Sequence, residues 1–453
     1  MAFACIAASA QNGGITPEML TEISKGWSGS GTDKALRNAI GQTAINTLAV
    51  NAENAAMIDT EFSDRVKTRG ITDQKSSGRC WLFTGLNVLR AAAIDKWDLG
   101  DFQFSQCYCF FWDQLEKSNL FLQAIIDTSD KPIDDREVDW LFSHPVADGG
   151  TFTGVADIVT KYGLVPASVM PETAVANSTS QMRTHLSNLL RQDGLRLREL
   201  AAAAPSGKKA KKYPSVEQQL QAEKTKMLAE VYHVLALCLG VPPTEFEWKG
   251  KTVTPVEFYQ ELLGYDLQGG YVMLMNDPSR EYGKVYEIQY DRHVYDGHNW
   301  LYINLPMDRI KEMAVASIKA NVAMYFSCDV GKFLDRSKGV LDLANYDYGS
   351  LLGVDFTMDK KQRVQTHASG SSHAMTLMAV DLKDGKPVKW MVENSWGASS
   401  GYKGHLIMTD EWFNEYMFRL VVEKRFVPAD ILAMLQQKPV LLPAWDPMYA
   451  VEE

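Results

Sequence analysis

The apolar and polar positions along the chain divide it into a helical part and a strand-rich part. Between about residues 100 and 325 the apolar residues recur mainly at helical spacing. The clearest helical patterns cover residues 106–115, 182–200 and Val216–Leu239. After about residue 320, short apolar runs alternate with Gly, Asp and Lys, as in strands and turns; examples are 323–328, 374–380 and 389–392. The pattern therefore predicts an α+β fold.

Residues 73–89 change abruptly from a polar stretch to an apolar one. Residues 73–79 are polar and flexible, whereas apolar residues follow at helical spacing from Trp81 to Leu89. This change predicts a helix that begins at Cys80. A cysteine attacks carbonyl groups as the thiolate, and the N-terminus of a helix stabilises that anion. Cys80 is therefore a candidate nucleophile, although a cysteine at a helix start, taken alone, is more often structural.

Three further polar residues can complete a catalytic set around Cys80. Gln74 lies six residues before it, and its side-chain NH₂ can hold an oxyanion together with a backbone N–H. His373 lies where a polar loop leads into a predicted strand, and Asn394 follows 21 residues later, after a second strand. An asparagine amide can fix the tautomer of a catalytic imidazole. The competing His367 lies in a stretch that is typical of an exposed loop, so we predict His373 as the general base.

Composition and charge narrow the class of protein. The chain has 453 residues, of which 46% are hydrophobic, and a formal net charge of −10, which disfavours nucleic acid as a partner. No apolar stretch approaches the roughly 18 to 20 residues of a membrane-spanning helix. The six cysteines are too sparse for a disulfide scaffold and favour a reducing compartment. Cys107 and Cys109 have no nearby ligand pair, so we expect buried thiols there and no metal site.

Two segments leave alternatives open. Residues 1–10 are apolar and end in Ala-Ser-Ala, which a signal peptidase can cut, but the first basic residue is Lys25. They are either a disordered start or the end of a signal peptide, and the second case implies export. Residues 201–215 contain four lysines, which form either a solvated loop or a contact for a polyanion. These lysines are Lys208, Lys209, Lys211 and Lys212.

The four candidate residues and their neighbours resemble the papain superfamily, whose pattern is Gln-x5-Cys-Trp, a later histidine, and Asn-Ser-Trp-Gly. Within it, the sequence is most similar to the bleomycin hydrolase and aminopeptidase C family, from about residue 15 to the end. Arg79, where papain has serine, agrees with that branch. The 293 residues between Cys80 and His373 are about twice the papain spacing. The runs that carry the resemblance are 74–81 (QKSSGRCW), 104–106 (FSQ), 110–112 (FFW), 409–413 (TDEWF) and 442–448 (LPAWDPM).

The resemblance implies a papain-like fold and the activity of a cysteine aminopeptidase that works through a thioester, without metal or organic cofactor. It implies one unit over residues 15–453, preceded by a disordered or residual signal segment at 1–14. Its expected parts are a helical part with the nucleophile at about 60–170, a helical insertion at about 175–320, a strand-rich, barrel-like part at about 320–430 and a C-terminal arm at 431–453.

The resemblance also implies how substrates bind. Gly149 and Gly150 are expected to pair with an extended peptide substrate, and the carboxylate of Glu453 is expected to meet the substrate ammonium group in the active-site cleft. Tyr449 and the glutamates at the end depart from the family pattern, which leaves the reach of this tail open. Assembly as a homohexamer in the cytoplasm is the further expectation.

Two other functions are left open by the sequence. An endopeptidase of the same fold is expected if the tail does not occupy the cleft. A papain-fold protein that binds nucleic acid through its four-lysine loop is the alternative from a different class. The intact set of Gln74, Cys80, His373 and Asn394 favours the aminopeptidase.

Overall fold

The computed structural model describes residues 13–54, 59–203 and 215–448. The predictions for residues 1–10, for Lys208 to Lys212 and for Glu453 lie outside the described residues. The described chain forms two compact units, a small one from residues 13–54 and 344–357, and a large one from the remainder.

The helices of the described residues are numbered here in chain order. They are α1 (Pro17–Ser24), α2 (Gly31–Ile40), α3 (Ile45–Leu48), α4 (Cys80–Trp97), α5 (Gln106–Asp127), α6 (Arg136–Ser143), α7 (Phe152–Tyr162), α8 (Ser180–Ala202), α9 (Val216–Leu239), α10 (Pro255–Leu262), α11 (Met307–Lys319), α12 (Tyr348–Leu352), α13 (Lys360–Gln365), α14 (Asp410–Tyr416) and α15 (Ala429–Met434). Short 3-10 helices cover Leu343–Asn345 and Lys424–Phe426.

The strands form one large mixed sheet and one two-stranded sheet. They are β1 (Asp64–Arg65), β2 (Phe246–Trp248), β3 (Lys251–Val253), β4 (Tyr271–Met275), β5 (Val285–Ile288), β6 (Leu301–Asn304), β7 (Met324–Cys328), β8 (Leu334–Asp335), β9 (Val340–Leu341), β10 (His373–Lys383), β11 (Lys386–Glu393), β12 (His405–Thr409), β13 (Met417–Glu423) and β14 (Val440–Leu442). The large sheet has the order β14-β5-β6-β4-β13-β7-β10-β11-β12-β9-β8, with β1 paired to β10, and β2 pairs with β3.

The small unit is held together mainly by backbone pairing and helix caps. Ser30 caps α2 in a capping box, and the backbone N–H of Asp347 donates to the Ala49 carbonyl at 2.8 Å. Helices α1, α2 and α3 contain no fully buried residue. The small unit therefore keeps much of its apolar surface exposed, for example on α1.

The large unit contains two hydrophobic cores, one made chiefly by helices and one made chiefly by the sheet. Helix α4 belongs to the first core and is buried on nearly all sides, as expected for a helix that is apolar around most of its circumference. The second core lies on the large sheet, with α11 and α14 packed against it. Helix α4 also packs against β10. The helical core around α4 therefore adjoins the central strands of the sheet core.

The α+β fold class predicted from the sequence is confirmed. The predicted helix start at Cys80, the helix Val216–Leu239 and the strand pattern after residue 320 are all present. The prediction of a mostly helical middle is wrong for residues 246–304, which contain β2 to β6. Three of these strands, β4, β5 and β6, pair within the large sheet, and such pairing with distant strands leaves no helical or long apolar pattern in the local sequence.

Buried thiols were predicted at Cys107 and Cys109, and both residues are fully buried. Burial raises the pKa of the Cys107 thiol to about 12, so this group stays protonated at neutral pH. Within the described ranges, no helix combines the length and the apolar character that crossing a bilayer requires.

Candidate active site

The loop before α4 brings Gln74 and Cys80 into a fixed arrangement. The Gln74 side-chain N–H donates to the Ser77 carbonyl at 2.7 Å, and the Ser77 hydroxyl donates back to the Gln74 carbonyl at 2.6 Å. Cys80 is the first residue of α4 and is fully buried, and no described side chain caps that helix end. The backbone N–H groups of the first turn therefore remain oriented toward this loop.

Buried contacts of Arg79 hold the same loop in place. Its guanidinium is completely buried and makes a two-pronged contact with Glu172, with distances of 3.1 and 2.7 Å. Its Nε also donates to the Ser77 hydroxyl at 3.0 Å. A two-pronged arginine–carboxylate contact fixes direction as well as distance. The residue directly before the candidate nucleophile is thus held rigidly.

His373 and Asn394 are placed by two neighbouring antiparallel strands. His373 is the first residue of β10, and Asn394 directly follows β11. Both are buried, and the His373 Nε2 lies 2.8 Å from the Asn394 Oδ1. The same amide oxygen accepts from the Ser395 backbone N–H at 2.8 Å, which fixes the orientation of the Asn394 side chain. The Asn394 amide oxygen is therefore a defined hydrogen-bond partner for Nε2 of the imidazole.

Trp396 covers the histidine–asparagine pair. Its ring centroid lies 4.8 Å from that of His373, and the Arg336 guanidinium lies 5.0 Å from the centre of the indole. Gly397 then turns the chain with φ of +82°, and an added Cβ would lie 2.9 Å from the Asp73 carboxylate. Only glycine combines this backbone conformation with so close an approach.

The two halves of the site are joined by direct hydrogen bonds across more than 300 residues of sequence. The Ser395 hydroxyl donates to the Gln74 Oε1 at 2.6 Å, and the Gln74 backbone N–H donates to the Ser395 carbonyl at 2.8 Å. Asp73 and Trp396 form an antiparallel bridge beside them. The structure thereby brings the loop that leads into Cys80 against the segment that holds His373.

A cleft of about 530 Å³ opens at this junction. Gln74 and Gly78 line one side, and His373 and Trp396 line the other. The remaining lining residues are Lys75, Ser76, Ser77, Asp148, Thr179, Ser180, Arg183, Asp329, Val330, Gly331, Arg336 and Ser372. The cleft therefore has polar walls that lead down to the histidine and to the loop before Cys80.

Two carboxyl groups near the histidine have raised pKa values because of burial. Burial raises the pKa of Asp329, which lines the cleft, and a hydrogen bond from the Ser369 hydroxyl at 2.7 Å only partly offsets this. Burial also raises the pKa of Glu393, the residue before Asn394, although Arg90 forms an ion pair with it. Glu393 thus ties β11 to α4 in the interior.

Gly149 and Gly150 border a neighbouring cavity of about 370 Å³, and Asp148, directly before them, lines the cleft. Arg183 lines both spaces. His367, the competing histidine, is exposed after α13 with φ of +58°, away from the lining residues of the cleft. Gln74 and His373 thus line one cleft, Asn394 lies behind it in contact with His373, and the two glycines border the neighbouring cavity.

Comparison with known proteins supplies the family. The profile of the Peptidase C1-like family matches residues 14–449. The chain belongs to the Peptidase C1-like family. Among members with related sequences, the aminopeptidase C of Lactobacillus delbrueckii subsp. lactis is 35% identical over 429 residues, covering 91% of this chain and 93% of that protein. The bleomycin hydrolase of Homo sapiens is 39% identical over 403 residues, covering 84% and 86%.

A solved structure of the same type gives the same result at the level of the fold. The crystal structure of PepW from Lactobacillus rhamnosis HN001 superposes with a TM-score of 0.90 at 35% identity, and the match covers 97% of this chain and 100% of that one. The family resemblance stated from the sequence motifs is therefore confirmed, and the chain is a cysteine peptidase of the Peptidase C1-like family.

Several residues of the cleft were not found by sequence reasoning. Asp329, Arg183 and Arg336 line it, and His293 packs behind Gly150. None of them belongs to a short motif, since their neighbours in space come from distant segments. His293 stands in a polar and charged stretch, residues 290–298, which gives no sign that this histidine is buried.

Proposed function

We propose that this protein is a cysteine aminopeptidase that releases single residues from the free N-terminus of peptides. The observation that carries the proposal is the hydrogen bond between the His373 Nε2 and the Asn394 Oδ1 in the cleft that Gln74 also lines. The names of the related proteins, aminopeptidase C and bleomycin hydrolase, support the same activity. Peptides fit a cleft whose entrance is polar and whose base is buried.

In the proposed mechanism, His373 takes the proton of the Cys80 thiol, and the thiolate attacks the carbonyl carbon of the first peptide bond. Asn394 holds the ring by Nε2, so Nδ1 is the nitrogen assigned to the thiol proton. The Gln74 side-chain N–H and the Cys80 backbone N–H receive the oxyanion. His373 protonates the departing amine as the C–N bond breaks, which leaves a thioester. Water, deprotonated by His373, then hydrolyses the thioester and restores the thiol.

The recognition of the N-terminus is assigned to the C-terminal tail, with Glu453 as its last residue. The root of the tail is fixed, because the Met448 carbonyl accepts from Arg419 at 2.7 Å and its N–H donates to Asp446 at 2.9 Å. Five residues follow Met448, and an extended stretch of that length spans at most about 17 Å. In this proposal, the terminal carboxylate pairs with the substrate ammonium group, and Gly149 and Gly150 bind the acyl side of the substrate.

A digest of one peptide in two forms tests this function. The peptide with a free N-terminus should be shortened by one residue at a time, and its N-acetylated form should stay intact, as read by mass spectrometry. Cys80→Ala should reduce the rate by more than about 10³-fold without loss of folded protein. Equal cleavage of both forms at internal bonds would instead assign an endopeptidase.

A second variant examines the tail. Removal of residues 449–453 should allow cleavage of the acetylated peptide at internal bonds, because the group that fixes the distance from the N-terminus to Cys80 is gone. Tyr449→Gly is the milder change, and it should retain single-residue release. Unchanged products after the removal would contradict the role of Glu453.

We also propose a homohexamer in the reducing cytoplasm. Exposed apolar side chains on and next to α1 support self-association, with exposed fractions of 48% for Met19, 59% for Leu20 and 54% for Trp27. The described cysteines are present as thiols, which suits a reducing compartment. Native mass spectrometry should give six times the mass of one chain, and it should give the monomer after Leu20→Glu if α1 lies in the interface.

Nucleic acid is not a proposed partner, and retention of activity at high DNA concentration is the expected result.

A further inference from the structure

The segment that leads through Gly149 is held from inside the protein by its carbonyl groups. The Lys117 ammonium donates to the Ala147 carbonyl at 3.0 Å and to the Gly149 carbonyl at 2.6 Å. The Asp148 carbonyl between them accepts from the Trp81 indole N–H at 2.8 Å. Three consecutive carbonyls are thus fixed by side chains of α4 and α5. The position of the acyl-side segment therefore depends on where these side chains lie.

Lys117 is itself part of a buried charged cluster. Its ammonium lies 2.9 Å from the Asp113 carboxylate, and the His293 Nδ1 lies 2.5 Å from the other oxygen of the same carboxylate. The exposed fractions of the three side chains are 10% for Lys117, 0% for Asp113 and 4% for His293. The cluster is therefore almost completely removed from solvent.

The protonation states of the cluster follow from burial and from Lys117. Burial lowers the pKa of His293, the Lys117 cation lowers it further, and together these outweigh the opposite effect of Asp113. Burial alone would raise the pKa of Asp113, but Lys117 and His293 together bring it below its usual value. A neutral His293 then donates its Nδ1–H to an ionised Asp113, which fixes both the tautomer and the ring plane.

The ring held in this way lies directly against the glycines. A Cβ on Gly150 would lie 2.1 Å from the His293 Cε1, and a Cβ on Gly154 would lie 2.2 Å from its Nδ1. The ring also meets the Trp81 indole edge-on, at 4.6 Å between centroids. One buried cluster thus contacts both the acyl-side segment and the residue after Cys80.

Burying charged groups is costly, and an apolar replacement of similar shape is often as stable. The location of this cluster suggests what the charge is for. We infer that Lys117, oriented by Asp113 and His293, is a positioning residue that sets the place of the Ala147–Gly150 backbone for the acyl side of the substrate. The inference rests on the proposed function for its substrate and on the described geometry for the positioning itself.

Lys117→Met is the main test, because methionine keeps the length of the side chain and removes both hydrogen bonds to the carbonyls. KM for an unblocked peptide should rise about tenfold, because the backbone that binds the acyl side loses its fixed position, while kcat changes by less than about threefold. The rate at which iodoacetamide alkylates Cys80 should stay within about twofold, because the nucleophile keeps its own partners.

Lys117→Met leaves Asp113 without its cation, so the double variant with Asp113→Asn is made beside it to remove both charges together. Lys360→Met is the matched control: the Lys360 ammonium is also buried and donates to the Met417 carbonyl at 2.5 Å and the Asn414 carbonyl at 3.2 Å, but it does not line the cleft. This control should lower Tm and leave KM unchanged.

Hydrogen exchange gives a readout that needs no activity. Amide exchange over residues 147–151 should accelerate in Lys117→Met and in the double variant, and it should stay unchanged in Lys360→Met. If wild-type protein cleaves no unblocked peptide, the proposed function is overturned. The exchange measurement does not depend on activity, so it would still test the inference about Lys117. Unchanged exchange in this segment, or a fall in kcat with KM unaltered, would overturn the inference itself.

Discussion

The two walls of the cleft differ in the kind of structure that holds their functional groups. The wall with Gln74 is a loop, and side chains fix it through Ser77 and the buried contact of Arg79 with Glu172. The wall with His373 is the start of a strand in the middle of the large sheet, where backbone pairing with β7 and β11 fixes it. The loop thus depends on buried side-chain contacts and on single backbone hydrogen bonds, such as that from Gln74 to Ser395, whereas the strand wall depends on a continuous ladder of backbone hydrogen bonds.

This difference predicts how far the structural effect of a substitution extends in each wall. Replacing one side chain in the strand wall removes its chemistry but leaves the ladder in place. Replacing one anchor of the loop shifts every group that the loop carries. The substitutions below compare the two walls, from the largest expected effect to the smallest.

His373→Ala tests the strand wall and should have the largest effect. Loss of the general base should lower kcat by about 10³-fold, while the protein stays folded because β10 keeps its pairing. Steady-state kinetics on an unblocked peptide and a thermal melt measure the two parts. His367→Ala is the control, and its exposed ring predicts unchanged kinetics.

Gln74→Ala tests the loop wall. One oxyanion donor is lost, so kcat should fall by about 10²-fold. The Ser395 hydroxyl also loses its acceptor, so Tm should fall more than in His373→Ala. Gln74→Glu keeps the acceptor for Ser395 but sets a buried carboxylate against the Ser77 carbonyl, so it should show the same kinetic loss with at least as large a fall in Tm as Gln74→Ala. An equal Tm in all three variants would contradict the proposed contrast.

Glu172→Gln weakens the anchor of the loop without touching the cleft. A completely buried Arg79 then lacks its charged partner, so the free energy of unfolding should fall by about 2 kcal/mol in a urea titration. Glu22→Gln, which removes an exposed ion pair with Lys25 on α1, is the matched control and should cost less than about 0.5 kcal/mol.

Asp193 lies on α8, outside both walls of the cleft, and Asp193→Asn should have the smallest effect of these substitutions. Burial raises the pKa of Asp193 to about 6, and Glu230 adds to this. The stability that the folded state gains from keeping this proton is present at low pH and is lost as the pH rises through 6. The variant should therefore be more stable than the wild type by about 1 kcal/mol at pH 8, with no gain near pH 4 and unchanged kinetics. The exposed Asp101→Asn is the matched control and should change the free energy of unfolding by less than about 0.5 kcal/mol.

The local parts of the site were predictable from the sequence. The switch from polar to apolar residues predicted the helix start at Cys80, and the pattern around His373 and Asn394 predicted a strand for each. These signals are local, because a helix end or a strand end leaves its own turn residues and apolar period.

The rest depends on contacts between distant residues, which no local pattern records. Strands β4, β5 and β6 carry short apolar runs that are compatible with helix or strand, and only their partners in the sheet decide between the two. The cluster of Asp113, Lys117 and His293 joins α5 to a segment about 180 residues away. A single sequence shows that these residues are charged or titratable, but not that they meet.

The distance along the chain between Cys80 and His373 has a consequence for biosynthesis. Cys80 is synthesised 293 residues before His373. At about 5 to 20 residues per second, that interval lasts roughly 15 to 60 s. During that time, the emerging polypeptide carries a thiol without a base to activate it. In the proposed mechanism, the nascent chain therefore cannot form its thiolate–imidazole pair until residue 373 has been translated.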